Sequence, residues 1–127
     1  MARRFSRHYS VAEARSLLPR LQGWIVELRR LRVDLARRDE QLAALLAEHR
    51  DLGGGRVEAW ARDLARFRNL VGEFASREIQ IKDLERGLID FPALRGDREV
   101  FLCWEEGEAD IEFWHDLDTG YAGREPL

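Results

Sequence analysis

The residue best placed to do chemistry is His115, which ends the alternating run Ala109-Asp110-Ile111-Glu112-Phe113-Trp114-His115. An imidazole titrates near neutral pH and is a common ligand of first-row metals. One reading makes His115 a metal ligand beside carboxylates from Asp83, Asp90, Glu112 or Asp116, a nitrogen-and-oxygen set suited to a divalent ion. The plainer reading, which the sequence favours, is a half-buried histidine bonded to a backbone carbonyl or a carboxylate. Neither a helical Glu-x-x-His pair nor a Cys-x-x-Cys occurs, and Glu108 and Glu112 lie too near His115 along a strand to converge on one ion. Cys103 could act as a nucleophile paired with His115, yet a cysteine inside an apolar strand is far more often a small core residue. Gly120-Tyr121-Ala122-Gly123-Arg124 offers an anion-binding turn clamped by Arg124. With no helix after it, a phosphate loop is disfavoured. A tail folded over a sheet, with Arg124 paired to Asp90 or Asp116, is the better expectation.

The elements that must position these groups begin with a long seam. Ala14, Leu17, Leu21, Trp24, Leu28, Leu31, Leu35, Leu42, Leu45 and Leu52 fall on two positions of a seven-residue repeat, broken by Arg38 and His49. Leu18, Ile25 and Leu46 widen it to the stripe of a bundle helix. This predicts a helix over 11–52, after an amino-terminal arm over 1–10, opened by the capping box Ser10-Val11-Ala12-Glu13. Pro19 should kink it at a cost of ~3 kcal/mol without ending it. Gly53-Gly54-Gly55 should end it and reverse the chain. Val57, Trp60, Leu64, Phe67, Val71 and Phe74 then predict a second, antiparallel helix over 56–78. At 1.5 Å per residue the helices would measure ~60 Å and ~35 Å, so the amino-terminal third of the first needs another cover.

That cover should be residues 79–127, where the pattern changes to alternation. Glu99–Trp104 and Ala109–His115 flank Glu106-Gly107, which predicts a β-hairpin with a two-residue turn. In that register Leu102 faces Ile111, Val100 faces Phe113 and Trp104 faces Ala109, all on one apolar face. Phe101, Cys103, Glu112 and Trp114 take the other. Ile79-Gln80-Ile81 and Leu88-Ile89-Asp90-Phe91 are shorter strand candidates. The fold class is therefore α+β, a single domain built as a long antiparallel, coiled-coil-like helical hairpin with a small carboxy-terminal antiparallel β-sheet.

Composition removes several function classes. The 127 residues are 45% hydrophobic and 35% charged, with a net charge of only −3. No one-sign field exists to recruit nucleic acid or an anionic membrane. Lys82 is the only lysine. One cysteine rules out an internal disulfide and fits a reducing compartment. No apolar run nears the ~20 residues of a membrane span, and the start lacks the apolar centre of a secretory signal, so the cytoplasm is expected.

Several motifs together carry a resemblance. Ile81-Lys82-Asp83, Gly87-Leu88-Ile89-Asp90-Phe91-Pro92-Ala93, Leu102-Cys103-Trp104 with Gly107-Glu108, and Phe113-Trp114-His115 with Gly120, Gly123 and Arg124 resemble the prokaryotic domain-of-unknown-function family 2203. Phe5-Ser6 and Ala12-Glu13-Ala14 before Leu17-Leu18-Pro19 are similar to its opening. The resemblance spans essentially the whole chain and brings no activity with it. It marks Asp83, Asp90, Trp104, His115 and Arg124 as motif positions.

The function these observations favour is a self-associating structural or interaction module, a homodimer formed through the helical hairpin, with no catalytic residue and no cofactor. The alternative is a small divalent-metal-binding protein using His115 with Asp83, Asp90 and Asp116.

Overall fold

A computed structural model describes residues 2–127. Ser10 opens the first helix, α1 (Val11–Ala47), by accepting the Glu13 amide while the Glu13 carboxylate accepts the Ser10 amide. Such a cap contributes ~1 kcal/mol. The helix continues through Pro19. It stops five residues before the predicted end at 52, and glycine is not what stops it. His49 adopts a left-handed φ of 55°, the Arg50 amide bonds to the Leu45 carbonyl and the His49 amide to that of Leu46. This pairing satisfies the last carbonyls of the helix, so it ends one turn early. The triple glycine serves the next element: Gly53, at φ 71°, caps α2 (Gly54–Ser76), whose first two residues are Gly54 and Gly55. At the far end of α2 the same motif recurs, with Glu78 at φ 58° and the Ile79 amide on the Phe74 carbonyl.

Cross-links between the helices hold the hairpin. Arg66 grips Glu27 with two bonds of 2.7 and 2.8 Å, Arg38 meets Asp63 at 2.8 Å, and the Trp60 indole donates to Asp39 at 2.9 Å. Trp24 packs edge-on against Phe74.

Five antiparallel strands follow in sequence order: β1 (Gln80–Asp83), β2 (Leu88–Arg95), β3 (Arg98–Glu105), β4 (Phe113–Asp116) and β5 (Glu125–Pro126). A short 3-10 turn, Tyr121–Gly123, precedes β5. The inner face lies on α1, as the length mismatch between the helices requires. Ala14, Leu18, Leu21, Ile25 and Leu28 share one core with Ile89, Phe91, Val100, Leu102 and Trp104.

The strand register differs from the sequence-based one. The tight partner of β3 is β2, joined through Gly96-Asp97, so that Asp90 stands opposite Cys103 and Phe91 opposite Leu102. Strand β2 runs through Pro92, whose carbonyl accepts the Tyr9 amide at 2.7 Å. Amide and carbonyl of one residue point the same way in a strand, so the missing N–H falls on the side away from β3, past the end of β1, where no ladder needs it. Between β3 and β4 there is a loop in place of the predicted two-residue turn. Glu108 closes it by accepting the Glu105 amide on its carboxylate and the Trp104 indole on its carbonyl. Ile111 plugs the core from this loop, fully buried. Strand β4 therefore begins at Phe113 with its parity reversed. Leu102 faces Trp114, Phe101 faces His115 and Cys103 faces Phe113. Val100, Leu102, Trp104 and Ile111 point inward as predicted, but Trp114 joins them while Phe113 and His115 turn outward.

The amino-terminal arm straps across the outer face. Phe5 stacks edge-on with Phe101, and one carboxylate, Glu99, takes the Arg4 and Phe5 amides and His8 Nε2. The His8 bond, then the two amides, hold the Glu99 carboxyl down at about 2. No helix among the described residues is long and apolar enough to cross a membrane.

Candidate functional site

The outer face of an antiparallel sheet ordinarily carries solvated side chains. Here it buries two ionisable groups. Asp90 on β2 and His115 on β4 are each 2% exposed at the side chain, and His115 Nε2 lies 3.0 Å from Asp90 Oδ2. Cys103, on the strand between them, is buried beside both. The ligating atoms of the three residues all lie within 4.8 Å of one another.

Hydrogen bonding determines where the protons are. His115 Nδ1 lies 2.7 Å from the Asp116 carbonyl, which can only accept, so Nδ1 carries a proton and donates it. One further proton is shared between Nε2 and Asp90 Oδ2. Burial pushes the His115 pKa down, but the bond to Asp90 and the bond to the Asp116 carbonyl together carry it above 6.5. Cys103 is pushed the other way: burial and the neighbouring Asp90 carboxylate raise its thiol pKa strongly, and the Arg124 cation opposes this only in part. Both imidazole nitrogens are already engaged, so His115 has none left to deprotonate Cys103. In this arrangement neither nitrogen of His115 is free to act as the base of a Cys103 nucleophile.

One polar atom of the site is unsatisfied. Asp90 Oδ1 is buried with no hydrogen-bond partner among the described residues, a defect that ordinarily costs ~1–3 kcal/mol. Asp90, Cys103 and His115 line a cavity of about 260 Å³, rimmed by Lys82, Leu88 and the loop Leu117–Tyr121. Lys82 arrives there through a bulge: Ile81 pairs with Ile89 and Asp83 with Leu88, leaving Lys82 as the extra residue, with its ammonium 4.9 Å from the centre of the Phe101 ring.

The other sequence-nominated residues lie outside the cluster. Asp83 accepts the Arg86 amide in the β1–β2 turn. The Asp116 carboxylate pairs with Arg98, and only its carbonyl touches His115. Glu112 is exposed, and its carbonyl takes the Leu127 amide. Trp104 faces the helices, fully within the core. Arg124 pairs with Glu108 at 2.5 Å, rather than with Asp90 or Asp116, and lies 4.0 Å from the centre of the Phe113 ring. It clips the tail onto the β3–β4 loop. The sequence pointed to Cys103 as a small core residue, with a nucleophile as the other reading, and gave it no part in a metal site and Lys82 no role. A signal for the first existed: counting back from a Gly96-Asp97 turn sets Cys103 opposite Asp90.

The search among curated proteins and the search among solved structures each return no match. A family profile matches residues 7–127, essentially the whole chain. The chain thus belongs to the family described as uncharacterized conserved protein (DUF2203).

Proposed function

We propose that this is a metal-binding protein in which Asp90, Cys103 and His115 Nε2 hold one divalent first-row ion, with zinc the best fit. The observation that carries the reading is the convergence of a carboxylate, a thiol and an imidazole from three adjacent strands on one cavity, with Asp90 Oδ1 unpartnered. A sulfur–nitrogen–oxygen set suits an ion of borderline softness. A tetrahedral ion wants its ligand atoms about 3.3–3.6 Å apart, so a cluster within 4.8 Å needs to close by ~1.5 Å at most. The Nδ1 bond to the Asp116 carbonyl is the outer support that orients a ligating histidine. Carboxylate and thiolate together neutralise a 2+ ion, which replaces the shared proton and the thiol proton. A reducing compartment would keep Cys103 available as a ligand.

Elemental analysis of protein purified without an affinity tag tests this. About one zinc per chain is expected after gel filtration, and it should be lost in both Cys103→Ala and His115→Ala. Wild-type protein that retains no zinc after exposure to it refutes the reading and leaves Asp90–His115 as a buried structural pair.

A second reading, self-association through the hairpin, draws on the part of α1 and α2 beyond the sheet. Leu35, Leu42, Trp60, Leu64 and Phe67 are only half-buried there, and Val33 and Leu46 are 68% and 60% exposed. A second copy would cover what two helices leave open, forming a four-helix bundle. Sedimentation equilibrium returning a monomer at micromolar concentration would reject it.

A further inference from the structure

Asp90, Cys103 and His115 would give an ion three protein ligands, and all three line the cavity. Resting on the metal reading, we propose that the loaded site takes a small oxyanion, a carboxylate or inorganic phosphate, as its fourth ligand, with Lys82 as the second anchor.

The polar groups around the cavity are otherwise committed. The Thr119 hydroxyl donates to the Asp116 carbonyl and the Tyr121 hydroxyl to Glu105. Asp118 meets Arg4, which reaches over from the amino-terminal arm, at 3.2 Å. Lys82 has no acidic partner within ion-pair distance among the described residues, although 24 acidic side chains are present in the sequence. With the ion neutralised by Asp90 and Cys103, and Asp118 by Arg4, Lys82 leaves the cavity one positive charge in excess. An anion is the complement of that charge, and an open coordination position beside an ammonium is the chemistry that recognises an oxygen of a carboxylate or phosphate. A cavity of about 260 Å³ admits a ligand of a few heavy atoms. The bulge at Lys82 has its explanation here, because it turns the side chain of an edge strand over Phe101 to the cavity rim.

The test uses the full chain loaded with Co2+, whose visible spectrum reports the ligands of the ion. Metal content is measured on the same samples. Acetate and inorganic phosphate are titrated separately into wild type and into Lys82→Met, which keeps an apolar stem over Phe101 and removes the charge. At least one anion should shift the cobalt bands saturably in the wild type. The Lys82→Met variant should hold as much cobalt but bind that anion about tenfold or more weakly, the loss of one charge-assisted bond. The responding anion tells carboxylate from phosphate. Cobalt bound with no response to either anion overturns this inference and leaves the metal reading standing. A response unchanged in Lys82→Met removes Lys82 as the anchor and overturns the proposal as stated. Failure to bind cobalt overturns both.

Discussion

The buried pair of Asp90 and His115 makes a quantitative prediction independent of any bound ion. Each side chain is 2% exposed, and the two bond to each other at 3.0 Å. Truncating one leaves its mate buried without a counter-charge, which costs ~3–5 kcal/mol. A chain of 127 residues has ~6–19 kcal/mol of stability in all, at roughly 0.05–0.15 kcal/mol per residue. Asp90→Ala and His115→Ala should therefore each lower the urea midpoint substantially. The double variant removes the orphan that each single variant creates, so its cost should fall short of the sum by ~1–3 kcal/mol. The cycle is run with a chelator present so that only the pair is measured. Costs that add to within ~0.5 kcal/mol would refute the coupling and the protonation scheme built on it. pH adds a check of sign. The His115 pKa is raised in the folded protein, so its contribution is fully present below 6.5 and lost as pH climbs through the folded value. The stability gap between wild type and His115→Ala should narrow on the alkaline side; a gap that widens there contradicts the shared proton.

Glu99, held at about 2 from an ordinary 4.5, contributes stability that is present above pH 4.5 and lost as the pH falls toward 2; amide exchange at Arg4 and Phe5 should accelerate over that window in wild type and be fast at every pH in Glu99→Gln. Leu102→Ala removes an inward side chain 3% exposed and should cost ~2–5 kcal/mol in urea unfolding, with a value near zero showing the face to be solvated. Gly87 has φ +64° and an added Cβ would lie 2.7 Å from Glu106 Cβ, so Gly87→Ala should lower the thermal midpoint by more than the ~1 kcal/mol of left-handed strain alone.

How much of this was legible in the sequence follows from the range of the interactions involved. The capping box, the two amphipathic helices, their antiparallel reversal and the change to strand alternation are local patterns, written within a few residues of one another, and the structure has them all. The inward set Val100, Leu102 and Trp104 was equally legible, because strand parity needs only one strand. Helix termination at Ala47 was not, since it rests on His49 adopting a left-handed conformation while three glycines nearby gave the stronger local signal. The partner of β3 was decided by competition between two turns. Gly96-Asp97 closes the tight hairpin, while Glu106-Gly107 became the start of a loop once Ile111 could reach the core and Glu108 could bond back to Glu105 and Trp104. Those contacts are tertiary, and one residue of slippage turns every later side chain over. That single difference moved Trp114 inward and His115 outward to the Phe101 side, next to Cys103 and across from Asp90. The sequence alone determined that His115, Cys103 and Asp90 exist on strands. Which of them meet, and that a carboxylate oxygen among them lacks a partner, was decided only by strand pairing, because side chains 13 and 25 residues away from Asp90 become neighbours through ladder geometry that no local periodicity encodes.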